Sequence, residues 1–262
     1  MRFTVSSTAL SSKLNALAKV INSKNSLPIL ADFLFDIQDN VLYLTASDSE
    51  NVINTQMELT ESDANGRFAI NNHDLLEAIK GFSEQPITFD VNLQDNIAKI
   101  SYQNGLFSLP VENADEYPQS QPITEGINTI VMPSNVLADN INRSLFATAQ
   151  DELRPVMNGI YFDLTPEHLA VVASDGHKLV RNKVFTVQSE QPASFILPKK
   201  PAGLLKNLLQ KDGGDVEIKF NERNAEINYG DGRLSCRLIE GRYPNYNSVI
   251  PQNNTNTLTV DR

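Results

Sequence analysis

The sequence has one cysteine, Cys236, and three histidines, His73, His168 and His177. A lone cysteine forms no internal disulfide, which fits a reducing compartment. The histidines are not spaced as paired ligands, so neither a structural zinc site nor any other metal or cofactor is expected. No apolar run approaches the roughly 20 residues needed to span a bilayer, and the N-terminus lacks the apolar core and small-residue cleavage site of a signal peptide. A cytoplasmic protein without a membrane partner is expected. There is no glycine-rich phosphate loop and no Gly-x-Ser-x-Gly nucleophile elbow. Neighbouring carboxylates such as Asp48 and Glu50, or Asp151 and Glu152, read as solvated surface in a chain with 32 acidic residues. The sequence therefore reads as a binding protein, not an enzyme. Pairing His177 with Asp175 as a hydrolase would need a nucleophile that no residue offers.

Basic residues are also unevenly distributed. Residues 1–127 carry 7 Lys and Arg against 17 Asp and Glu, whereas residues 128–262 carry 15 of each, so the net charge of −10 lies wholly in the first half. Net charge governs solubility and non-specific attraction, not fold, and an acidic body can still carry a local basic track.

The chain is an internal repeat. Leu27-Pro28-Ile29-Leu30 matches Arg154-Pro155-Val156-Met157 at a shift of 127 residues. At the same shift Phe35-Asp36-Ile37 meets Phe162-Asp163-Leu164, Ala46-Ser47-Asp48 meets Ala173-Ser174-Asp175, and Ala98-x-Ile100-x-Tyr102 meets Ala225-x-Ile227-x-Tyr229. A finer period of 65 residues aligns Phe3-x-Val5 with Phe68-x-Ile70, so each half-unit reads as a short strand, a polar cap and a helix. Leu258-Thr259-Val260 resembles Phe3-Thr4-Val5, which reads as the opening of a third copy and the chain as a piece of a longer one. The expected divisions are a first domain over 1–122, a second over 123–250, and a linker with the first strand of a third over 251–262.

Helices are expected after Ser6 or Ser7, good N-cap residues, with Leu10, Leu14, Leu17 and Ile21 buried; near Asn72, with Leu75, Leu76, Ile79 and Phe82 buried; after Ser134, with Leu137, Ile141 and Leu145 buried; and around Pro201, with Leu204, Leu205, Leu208 and Leu209 buried. Alternating segments such as Ile87-x-Phe89-x-Val91 and Val216-x-Ile218-x-Phe220 read as strands. The expected class is α+β, antiparallel sheet with two helices on one face, repeated in tandem.

The copies differ at two corresponding edges. Ser174-Asp175-Gly176-His177-Lys178-Leu179-Val180 stands where the first copy has Ser47-Asp48-Ser49-Glu50-Asn51, and Gly241-Arg242-Tyr243-Pro244-Asn245-Tyr246 where it has Asp115-Glu116-Tyr117-Pro118. Asp-Gly alone is a common hairpin turn, yet these residues could frame a small apolar pocket. They also carry a resemblance. With Met1-x-Phe3-Thr4-Val5, Leu27-Pro28-Ile29-Leu30 and Asn158-Gly159, they make the whole chain resemble the bacterial sliding clamp, the beta subunit of DNA polymerase III.

That resemblance implies tandem DNA-clamp domains with helices lining a hole that duplex DNA threads and sheets forming the outer wall. It implies a processivity factor: a head-to-tail homodimeric ring of three domains per chain, which tethers the DNA polymerase III alpha subunit, the clamp loader and repair polymerases through short peptide motifs. The residues matching the peptide pocket are Met157, Ser174, Gly176, His177, Lys178, Leu179, Pro244 and Val249. Lys178 stands where the family often has Arg, and Ser248 replaces a basic residue, so peptide preference is expected to shift. The positions matching DNA contacts are Lys24, Gln150, Arg154, Lys199 and Lys200. Phe107 and Leu109 match the first-domain edge of the dimer interface, and without a third domain the chain is not expected to close a ring.

Overall fold

The computed structural model describes residues 1–22, 27–118, 122–209 and 213–260. Lys24 lies outside the described residues, as do residues 119–121 of the expected linker. The first repeat contains strands β1 (Arg2–Ser6), β2 (Asp32–Gln38), β3 (Val41–Ser47), β4 (Asn51–Glu58), β5 (Glu61–Ser62), β6 (Gly66–Asn71), β7 (Pro86–Asn92), β8 (Ile97–Tyr102) and β9 (Gly105–Glu112). Its helices are α1 (Ser7–Leu17) and α2 (Asn72–Ile79). The second repeat contains β10 (Asn128–Pro133), β11 (Gly159–Leu164), β12 (Leu169–Ser174), β13 (Leu179–Val184), β14 (Ala193–Pro198), β15 (Asp215–Phe220), β16 (Asn224–Tyr229) and β17 (Gly232–Arg237), with helices α3 (Ser134–Ser144) and α4 (Lys199–Leu208).

The helices start where the sequence provides acceptors. The Ser6 hydroxyl accepts from the Ala9 amide to cap α1, and the Asn71 side chain accepts from the amides of His73 and Asp74 to cap α2. Such a cap contributes about 1 kcal/mol. The second repeat differs: Ser134 is the first residue of α3, and Pro133 and Pro198 occupy the cap positions with no side-chain bond. Leu10, Leu14 and Leu17 are fully buried as expected. α1 stops at Leu17, so Val20 takes the buried place beyond it and Ile21 is only half-buried.

The repeat is visible in register. Leu42 pairs with Met57 in the first copy and Leu169 with Val184 in the second; Tyr102 pairs with Gly105, and Tyr229 with Gly232. Each pair is related to its counterpart by the same 127 residues. One feature left no trace in the sequence. β4 of the first repeat and β17 of the second pair antiparallel, from Gly232 opposite Thr55 to Cys236 opposite Asn51. This joins the repeats into one 13-stranded sheet, β10-β15-β16-β17-β4-β3-β2-β6-β9-β8-β7-β1-β5, beside a four-stranded sheet β13-β12-β11-β14. Ile53 and Leu234 face each other across that junction and both are buried in a single core shared by the two repeats. Residues 251–260, where a further strand was expected, are exposed and pair with no strand among the described residues.

α1 packs on α2 and α3 on α4. Two lysines then bridge the repeats on the helical side. Lys13 of α1 bonds Thr55 at 3.1 Å and ion-pairs with Asp231 in the β16–β17 turn. Lys200 of α4 reaches back to the Val20 carbonyl at 2.7 Å, to the Asn22 side chain, and to Asp48 in the β3–β4 turn.

Candidate functional site

The expected pocket residues gather at one end of the four-stranded sheet. Residues 174–178 form a turn built by its own side chains. The Ser174 hydroxyl donates to the Lys178 carbonyl at 2.9 Å and accepts from the Gly176 amide. Asp175 accepts from the amides of His177 and Lys178, both at 2.9 Å, and ion-pairs with the Lys178 ammonium. The Lys178 ammonium and these two amides hold the Asp175 carboxyl well below the usual carboxylate range. The carboxylate is thus committed to Lys178 and the backbone, not to the His177 imidazole. Gly176 adopts φ +90°, a left-handed conformation that glycine accepts without strain.

A second apolar cluster lies beneath this turn: Ala170, Val172, Ile196, Tyr243 and Tyr246, with Val156, Tyr161 and Leu179 packed against it. The rings of Tyr161 and Tyr243 stack at 4.7 Å, and the Tyr246 hydroxyl donates to Asp163 at 2.7 Å. Burial pushes the Tyr243 hydroxyl up to about 12, and burial with the facing Asp163 carboxylate does the same for Tyr246. Both stay neutral and serve as walls. Met157 is buried, Leu179 is half-buried, and Gly176, His177, Pro244 and Val249 are exposed around the rim. Sequence reasoning missed Tyr161, Tyr243 and Tyr246. The available signal was Tyr161 itself, which replaces Leu34 at the repeat shift.

Arg154, expected at DNA, belongs to this site in space. Its Nε bonds Asp151 at 2.8 Å, and a Cβ placed on Gly176 would lie 3.1 Å from its Nη1, so the guanidinium rests over the glycine turn. Gln150 is exposed at the start of the same loop. Lys199 and Lys200 occupy the first turn of α4, but only Lys200 has carboxylate and carbonyl partners. Phe107 and Leu109 are half-buried on β9; Phe107 packs against Tyr102 at 6.0 Å and Phe82 at 6.5 Å, with Leu106 beside it 60% exposed.

The exposed helical surface is more basic than the chain as a whole. Asp74 is paired with His73 and Glu77 with Lys80. Among the described residues, Lys19, Arg143, Lys199 and Lys206 have no ion-pair partner, against Asp139 alone of the acids on α1–α4.

Tandem α+β repeats joined edge to edge, with paired helices on one side and an aromatic-walled recess in the second repeat, define a clamp-fold protein. The chain belongs to the DNA polymerase III beta subunit family: the N-terminal domain of that subunit matches residues 1–121 and its central domain matches residues 131–245. The beta sliding clamp of Haemophilus influenzae is 28% identical over 255 residues, covering 97% of this chain and 69% of that protein. The crystal structure of the Pseudomonas aeruginosa sliding clamp bound to griselimycin shares the fold at TM-score 0.90 and 24% identity, covering 97% of this chain and 69% of that one. The beta subunit of Thermotoga maritima gives TM-score 0.83 at 26% identity, covering 96% and 68%.

Proposed function

We propose that this chain is a DNA sliding clamp, a processivity factor for the replicative polymerase that performs no covalent chemistry. The carrying observation is the cluster of unpartnered cations, Lys19, Arg143, Lys199 and Lys206, on the helical side of a chain with net charge −10. Each phosphate neutralised by such a cation releases counterions and contributes sequence-independent affinity. A few such contacts hold duplex weakly enough to slide, while the acidic remainder repels DNA from the outer surface. Gln150 joins this face, whereas Lys200 stays with the junction.

The aromatic-walled recess under the Gly176 turn is the docking site for short apolar peptide segments of the DNA polymerase III alpha subunit, the clamp loader and repair polymerases. Leu179, Met157 and Val249 supply apolar contact, and Ser174, His177 and Pro244 form the rim. Arg154 guards its mouth. Since Lys178 is neutralised by Asp175 and Ser248 brings no charge, the site selects on apolar fit more than on acidic residues. The half-buried edge of β9 with Phe107 and Leu109 is the assembly surface through which copies encircle DNA in the bacterial cytoplasm.

The test is to load the natural-length protein onto nicked circular DNA with its clamp loader and pass it through gel filtration before and after linearisation. Retention on circles and loss from linear DNA is expected. Retention on both would make it an electrostatic binder and end the clamp reading.

A further inference from the structure

Two sheet edges remain open among the described residues. β13 ends the four-stranded sheet with no neighbour on its outer side. β9 pairs with β8 along its length but meets β6 only at Val111 and Glu112, so Gly105–Pro110 present a free edge. These edges are not unrelated. At the 127-residue shift β13 corresponds to β4, and the first half of β9 corresponds to β17. β4 and β17 are the strands that pair at the internal junction. The chain thus carries one unused copy of each half of a joint that it already makes.

We infer that β9 of one copy pairs antiparallel with β13 of a second copy, head to tail, in the register of the internal junction. Subtracting the shift from β17 and adding it to β4 gives the pairs: Gly105 opposite Asn182, Leu106 opposite Arg181, Phe107 opposite Val180, Ser108 opposite Leu179, and Leu109 opposite Lys178. Phe107 and Val180 take the places of Leu234 and Ile53, which are buried at the internal joint. Both are half-buried now and become covered. An exposed edge lined by apolar residues is a template for another strand. Charge selects the head-to-tail arrangement, because the first half of the chain carries −10 and the second half zero. Two first repeats meeting face to face would concentrate that charge, and a first repeat meeting a second would not.

The joint between copies is weaker than the internal one. Asn140 and Asn104 stand at the positions equivalent to Lys13 and Asp231, so one lysine bridge is missing. His73 and Asp175 stand in place of Lys200 and Asp48, and Asp175 is already engaged by Lys178. Lys99 replaces the Glu226 that faces Arg233 at 3.7 Å. Association is therefore concentration-dependent.

This inference rests on β9 being an assembly surface, but not on DNA binding. The test is sedimentation velocity of the 262-residue chain over a wide concentration range, with two substitutions at exposed positions. Mass should rise with concentration above the 29.1 kDa of one chain. Leu106→Arg sets like charges opposite one another, a destabilising pair, and should hold the protein at monomer mass. Adding Arg181→Glu to it should restore association. A wild-type chain that stays monomeric throughout, or a Leu106→Arg variant that associates normally, overturns the joint. If Leu106→Arg is monomeric and Arg181→Glu does not rescue it, β9 stands as an assembly edge and β13 is not its partner.

Discussion

Lys200 of the second repeat ion-pairs at 2.5 Å with Asp48 of the first, whose side chain is only 4% exposed. Burial alone would raise the Asp48 carboxyl, but hydrogen bonds from Lys200 and from Asn51 hold it below its ordinary value. The pair closes the junction on the helical side while β4 and β17 close it through the sheet.

Removing the cation should therefore expose the cost of that buried carboxylate. Breaking a buried pair costs about 3–5 kcal/mol. Lys200→Met should cost less, about 1–3 kcal/mol, because Asn51 still bonds Asp48. A group whose folded pKa is depressed lends stability above its unfolded pKa and loses it as pH falls through the folded value. The gap between wild type and Lys200→Met in thermal unfolding should be full at neutral pH and shrink below the carboxylate range. An Asp48→Asn, Lys200→Met double variant should recover part of the loss.

Asp32 behaves in the opposite sense. It is 5% exposed, and burial first, then the nearby Glu112 charge, raises its carboxyl from 3.8 to about 6 despite the Asn71 hydrogen bond. A raised folded pKa favours the protonated protein, so stability is fullest below 3.8 and falls as pH rises to about 6. Asp32→Asn keeps the shape and removes the charge. It should stabilise the protein by about 1–2 kcal/mol at pH 7 and flatten the melting temperature between pH 4 and 6. A variant less stable than wild type at pH 7 would show that the carboxylate is needed.

The repeat, the four helices and the turn of the candidate site were legible because each depends on local pattern: leucines at helical spacing, alternating strands, and Asp-Gly. What escaped depends on long-range pairing. Nothing in Asn51–Thr55 or Gly232–Cys236 marks them as partners, since a strand's alternation gives its faces and not its neighbour. Lys13 and Lys200 read as surface charges because a lysine's sequence context does not reveal a carboxylate in another repeat. Arg154 read as a DNA contact because its approach to Gly176 arises only once the loop folds over the turn.

That approach makes Gly176 a sensitive position. A non-glycine residue at φ +90° costs about 1–2 kcal/mol, and the new methyl would press on the Arg154 guanidinium, the movable end of a flexible side chain. Gly176→Ala should lower stability by about that amount while leaving the sheet intact. It should weaken an apolar Gln- and Leu-containing peptide measured by fluorescence anisotropy at least fivefold. Unchanged peptide affinity would move the docking site away from this turn.

Lys199 and Lys200 are adjacent in sequence, yet the fold gives them different tasks. Lys200 is engaged by Asp48, Asn22 and the Val20 carbonyl, whereas Lys199 has no ion-pair partner among the described residues. A cation that neutralises one phosphate contributes about 0.9 to the slope of log affinity against log salt. Binding of short duplex DNA, followed over a salt series, should therefore lose about one unit of slope in Lys199→Ala, and likewise in Lys206→Ala. Lys200→Ala should keep the slope while lowering thermal stability. Equal loss of slope in both neighbours would mean that Lys200 leaves its junction partners for DNA, and that the repeats are not latched while the protein is on duplex.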